Sequence, residues 1–234
     1  MSAEGGPNII EDGLVFYVDA ANPRSYVSGS VTTDSLMGTA TGSLINDVRF
    51  GSGSQGSFEF GFDGIDDYIL TNTRLAEVGQ KDITLNFWFK MVGDPSDGYH
   101  GLINEFATTN PMRSRILIHQ SRNKTRYTLQ STSQREVYFL QTLSLDTWYY
   151  FTLTKDSING SKIYINAEYN GGSGGDTSAI SGAGASTYPG TIFGLGAETV
   201  YYMNGNIANI QCYNRALTAT EIQQNYNALK GRFQ

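Results

Sequence analysis

Along most of this chain, apolar and polar residues alternate. In "DITLNFWFKM", Ile83, Leu85, Phe87, Phe89 and Met91 share one parity, and Thr84, Asn86, Trp88 and Lys90 the other. A period of two sends successive side chains to opposite faces of a strand, so one face is apolar and meets a core. Similar runs occur at "GLVFYVDA", "SFEFGF", "DYIL", "GLINEF", "SRILIHQ", "RYTLQS", "EVYFLQ", "TWYYFTLTK", "SKIYINAEY", "GTIFGLG", "ETVYYM" and "GNIANIQCYN". The Asn159-Gly160 pair between "KDSI" and "KIYI" predicts a two-residue hairpin turn. Strands at short spacing with no helices between them predict an all-β, antiparallel sandwich.

The end of the chain breaks this pattern. In "YNRALTATEIQQNYNALKGRF", Thr218 and Glu221 have the spacing of a capping box, and Leu217 and Ile222 that of a hydrophobic staple. Ile222, Tyr226 and Leu229 then form one narrow apolar stripe. Gly231 follows as a left-handed residue after the last turn would. The spacing predicts a helix over 219–230. A helix of about three turns is marginal alone in water, so it must lie on the body of the fold.

Two stretches lack either period. "NGGSGGDTSAISGAGASTYPG" reads as a surface loop, since the strands and helix beyond it are too few for a second core. "SLMGTATGSLINDVRFGSGSQG" is a weaker case. The chain of 234 residues therefore reads as one domain over 13–234, preceded by a polar N-terminal arm over 1–12.

Composition narrows the partners. With 16 basic against 22 acidic residues the net charge is −6, which disfavours nucleic acid. The locally basic "RSRILIHQSRNKTR" alternates like a solvated strand-and-turn face. No run approaches the length of a membrane span, and "MSAEGGPNII" does not resemble a signal peptide, so a soluble protein made in a cytoplasm is expected. Cys212 is the single cysteine and can form no internal disulfide; with His100 and His119 it makes no metal cluster.

The order "DGLVFYVDAANPRSY", "FEFGFDGIDDYIL", "ITLNFWFK", "TWYYFTLT", "KIYINAEYN" and "GNIANIQCYNRALTATEIQQNYNALKGRF" resembles the laminin G-like, concanavalin A-like jelly-roll domain. More narrowly it is similar to versions found in structural proteins of tailed bacteriophages, myoviruses among them. The resemblance implies a two-sheet jelly roll with the C-terminal helix packed on it. Where the family usually has "NG" after a long strand this chain has Asn166-Ala167, so a reshaped turn is expected there.

Three chemistries follow for consideration. Glycoside hydrolases of this sandwich fold carry glutamates and an aspartate spaced E-x-D-x(-x)-E on one strand, one carboxylate to attack and one to donate a proton. Nothing in the chain matches, and no nucleophile elbow accompanies the two histidines, so a non-enzymatic chain is expected. The resemblance makes calcium a candidate cofactor at Asp63, Asp66 and Asp67 in "FDGIDDY", against the simpler reading of turn-forming aspartates. Asp94 and Asp97 in "GDPSDG" have the same simple reading. Glycan binding is the third, with Trp88, Tyr99, His100, Tyr201 and Tyr202 as candidate contacts. Aromatic rings take the C–H faces of sugars while polar neighbours bond their hydroxyls.

The expected function is a virion structural protein of a tailed phage, a capsid decoration or tail-associated adhesion module that meets other virion proteins and cell-surface glycans. A free-standing carbohydrate-binding module is the alternative, and a polysaccharide-degrading enzyme the third.

Overall fold

The computed structural model describes residues 8–52, 58–75, 82–105, 113–131, 135–173, 190–197 and 200–234. Its first strands are β1 (Leu14–Asp19), β2 (Thr32–Asp34), β3 (Thr41–Ile45), β4 (Arg49–Ser52), β5 (Phe58–Asp63) and β6 (Tyr68–Thr71). The middle of the chain forms β7 (Ile83–Met91), β8 (Tyr99–Glu105), β9 (Arg113–His119), β10 (Lys124–Ser131), β11 (Arg135–Tyr138) and β12 (Trp148–Asp156). There follow β13 (Gly160–Ile165), β14 (Glu168–Ser173), β15 (Ile192–Phe193), β16 (Leu195–Ala197), β17 (Val200–Tyr202) and β18 (Asn204–Tyr213). Helix α1 (Ala219–Leu229) runs into a 3-10 turn over Lys230–Arg232.

Two antiparallel sheets face each other. The first has the order β14-β13-β12-β7-β18-β5-β4, and the second β11-β10-β9-β8-β15-β6-β3-β2. β7 takes one edge of β18, while β5 and β1 share the other edge end to end. The inward parity of β7 does what its alternation predicts: Ile83, Leu85, Phe87, Phe89 and Met91 all join the core between the sheets. Phe87 stacks there on Phe151 with ring centroids 4.9 Å apart.

A second apolar cluster lies on the outer face of the first sheet. Trp88, Trp148, Tyr150 and Tyr213 point outward from it, and Leu217, Ile222 and Leu229 bury them. Each side of the helix start is fixed as its sequence predicts. Thr218 Oγ1 accepts the Glu221 N–H, and Glu221 Oε2 accepts the Thr218 N–H at 2.8 Å. Arg215 grips the same carboxylate with two nitrogens, at 2.7 and 3.1 Å. The C-terminal end differs from expectation. Gly231 sits inside the 3-10 turn with no left-handed φ, because Arg232 must reach back to Asp19, which it bonds twice at 2.8 Å.

Residues 8–12 are tied to this lid. Ile10 donates its N–H to Asn225 Oδ1 at 2.7 Å, Tyr213 Oη donates to the Ile10 carbonyl at 2.9 Å, and Gln224 donates to the Asn8 carbonyl at 2.8 Å. The rest of the expected arm, residues 1–7, lies outside the described residues.

Three local expectations are corrected. β3 and β4 occupy a stretch read as patternless; they are held by pairing with β6 and β5 rather than by their own periodicity. The first residues of the expected glycine-rich loop, Asn170–Ser173, extend β14, and residues 174–189 lie outside the described residues. Asn159-Gly160 does not form a two-residue turn. Asp156 pairs with Gly160 across a three-residue turn, Gly160 is left-handed at φ 75, and Asp156 Oδ1 accepts the Ile158 N–H at 2.8 Å.

Candidate functional site

The aromatic candidates separate into buried and accessible ones. Trp88 points outward, as alternation requires, but is fully buried: Phe233 stacks on it at 4.5 Å and Tyr226 at 5.6 Å. His100 is also fully buried, opposite Ile118 in the ladder, and burial lowers its imidazole to about 4. Neither contacts solvent, so both are removed as glycan contacts. The lid that covers Trp88 comes from the other end of the chain, and the residue's own strand carries no sign of it.

Tyr99 and Tyr201 are brought together. Tyr99 projects from the outer face of the second sheet, and the β16–β17 ribbon packs beside it on β8. Their rings meet edge to face with centroids 5.2 Å apart. Tyr201 takes an unusual backbone conformation to do this, with φ 66, and the Asp97 carboxylate accepts its N–H. A bulky residue in the left-handed region costs energy and persists only where its surroundings enforce it. Tyr202, half-buried, lies opposite Leu195 in the same ribbon. Asp97 therefore acts as a tether between loop and ribbon. Asp94 forms an ion pair with Arg122.

Residues not singled out in the sequence complete this platform. The Arg126 guanidinium lies over the Tyr99 ring, 4.6 Å from its centroid, and the His119 ring meets Tyr99 edge-on at 5.0 Å. Glu136 accepts from Arg126 at 2.9 and 2.6 Å and from Lys124 at 3.0 Å, and Lys124 stands 5.3 Å from the centroid of Tyr138, which is 61% exposed. Hydrogen bonds from Arg126 and then Lys124 hold the Glu136 carboxyl below its usual range. Burial first, and then the Lys124 and Arg126 charges, lower His119. Its Nδ1 accepts the Ser121 N–H at 3.0 Å, which leaves Nε2–H as the donor of the neutral ring. The available signal was the outward parity of Lys124 and Arg126, beside inward Thr125 and Tyr127.

The three aspartates of "FDGIDDY" also converge, with carboxylate oxygens within 4.8 Å of one another. Their engagements are those of a turn. Asp67 is buried and accepts the Asp47 N–H at 3.0 Å and the Asp63 N–H at 3.1 Å; Asp63 Oδ1 accepts from Ile65 at 2.7 Å. Burial is the main cause that pushes Asp67 up. Calcium takes about six to eight oxygens. The three carboxylates could supply only part of such a shell, and two of them also serve the backbone N–H groups of the turn.

The turn at Asn166-Ala167 keeps the hairpin geometry that a reshaped turn would have lost. Both residues are left-handed, with φ 53 and 65, and Asn166 Oδ1 accepts the Tyr150 N–H at 2.9 Å.

A profile for concanavalin A-like lectins and glucanases matches residues 62–223. The chain belongs to the concanavalin A-like lectin/glucanase superfamily. No curated protein matches it in sequence. Among solved structures it is similar to domain 4 of AbnA, an extracellular GH43 arabinanase from Geobacillus stearothermophilus, in complex with arabinotriose. That match has TM-score 0.68 and 15% identity and covers 93% of this chain and 100% of that one. The Trypanosoma rangeli sialidase in complex with sialic acid gives TM-score 0.68 at 14% identity, over 97% of this chain and 35% of that one. The receptor binding domain of the botulinum neurotoxin C/D mosaic serotype gives 0.66 at 16% identity, over 94% and 52%. This chain thus spans about a third of the sialidase chains it resembles.

These comparisons correct the expectation of a non-enzymatic chain. The superfamily joins lectins with glucanases, and the neighbours include sialidases and an arabinanase domain. At such identities they show the fold alone, and one missing acidic motif does not decide against activity on a fold that hosts many chemistries.

Proposed function

We propose that this chain is a glycan-binding module whose contact surface is the Tyr99–Tyr201 platform. The observation that carries this reading is the left-handed Tyr201, held by Asp97 so that its ring stands against Tyr99. Two rings at an angle, with His119, Lys124 and Arg126 around them, offer apolar faces for sugar C–H groups and donors for hydroxyls. The neighbour solved with arabinotriose supports carbohydrate as the ligand class. Binding to a glycan array, lost on Tyr201→Ala with the fold intact, tests the reading.

The setting we favour is the surface of a tailed-phage particle, as decoration or adhesion module. Its support is the resemblance of the opening and closing segments to phage structural proteins. Many copies would convert weak single contacts into avidity. Mass spectrometry of purified particles tests it. A module within a carbohydrate-active protein is the second reading, favoured by the full-length match to the arabinanase domain.

A further inference from the structure

Beyond the helical lid, the outer face of the first sheet continues as an open groove of about 510 Å³. The ladder defines its floor: Lys90 lies opposite Asn206, Asn206 opposite Gly61, and Gly61 opposite Arg49. A Cβ added to Gly61 would stand 3.2 Å from Asn206 Nδ2 and 3.7 Å from Arg49 Cβ, so these side chains flank an empty strip that only glycine leaves open. Asn204 and Asp63, paired in the ladder, close one end of the groove.

Three polar side chains of the groove are uncommitted. Within the described residues no hydrogen bond or ion pair engages the side chains of Arg49, Asn204 or Asn206. Asn204 and Asn206 are only half-exposed. Each amide offers a donor and an acceptor, the pairing that vicinal hydroxyls require. The charges balance: one cation, Arg49, and one anion, Asp63, line the groove, and Lys90 approaches Glu59 at 3.5 Å beside it. No net charge selects an ionic ligand.

We infer that this groove is a second glycan site, which takes a short neutral oligosaccharide laid over Gly61 with its hydroxyls bonded to the two asparagines. The groove and the Tyr99 platform lie on outer faces of opposite sheets, so one chain can hold two glycan strands at once and cross-link them. The inference stands apart from the platform, since the two share no residue.

Arabinotriose, xylotriose, cellotriose and maltotriose, with 3′-sialyllactose as a charged control, are titrated to about 10 mM against the ¹⁵N-labelled chain, a range that covers millimolar affinity. At least one neutral trisaccharide shifts the Asn204 and Asn206 side-chain amide signals. Asn206→Ala and Gly61→Val each weaken that binding about tenfold, the loss expected of a hydrogen bond or a filled floor, while Tyr99→Ala leaves it unchanged. The inference is overturned if no neutral trisaccharide moves these signals, if only sialyllactose does, or if Asn206→Ala binds as the wild type. The Asn206 variant adds no bulk and so keeps the test open should Gly61→Val fail to fold.

Discussion

Phe233, the penultimate residue, lies stacked on Trp88 with ring centroids 4.5 Å apart and planes 22° from parallel. Trp88 occupies the middle of the first sheet, so the chain's last turn closes a face that the central strand leaves apolar. Phe233→Ala removes that cover together with the contact to Trp148 at 4.9 Å. A loss of about 1–3 kcal/mol is expected, below a full core truncation because Phe233 is only half-buried. Thermal unfolding with Trp fluorescence checks it, and Trp88 emission should shift to the red.

The start of the helix makes the fold acid-sensitive. Hydrogen bonds from Arg215 are the first cause that lowers Glu221 from 4.5 to about 2. A carboxylate depressed in the folded state contributes stability that is fully present above its unfolded value and is lost as pH falls from about 4.5 towards about 2. Glu221→Gln should flatten the pH dependence of the unfolding midpoint across that window and leave a less stable protein at pH 7.

Much of this architecture is written locally. The parity of β7 and the capping box need only neighbours a few residues away, and both emerge from the sequence. Burial of Trp88 does not, because the covering ring belongs to Phe233. Nor do β3 and β4, whose short polar runs become strands only against β6 and β5. At the platform, Tyr99 and Tyr201 were legible as aromatics, while their meeting depends on the ribbon and on Asp97. Arg126 was hidden because an outward arginine on a strand usually means only solvent.

Ala167 sits at φ 65, where an L-residue with a Cβ is disfavoured. Ala167→Gly should relieve this and stabilise by up to about 1 kcal/mol, reduced by the Ala167 contacts with the lid cluster. Urea unfolding at constant m-value measures it.

Asp67 secures two N–H groups, from Asp47 and Asp63. Asp67→Ala leaves both without their acceptor and should cost about 1–3 kcal/mol. Hydrogen exchange should show faster opening at 63–68 than in the central strands.

The central claim is that a glycan surface lies on the second sheet, where Tyr201 stands against Tyr99. Isothermal titration of the best ligand from a glycan array into the wild type, Tyr99→Ala and Tyr201→Ala tests it most directly. The account predicts binding weakened about fivefold or more in both variants, whose unfolding midpoints stay near that of the wild type, since stacking contributes about 1 kcal/mol per ring. Unchanged affinity in both folded variants would contradict it.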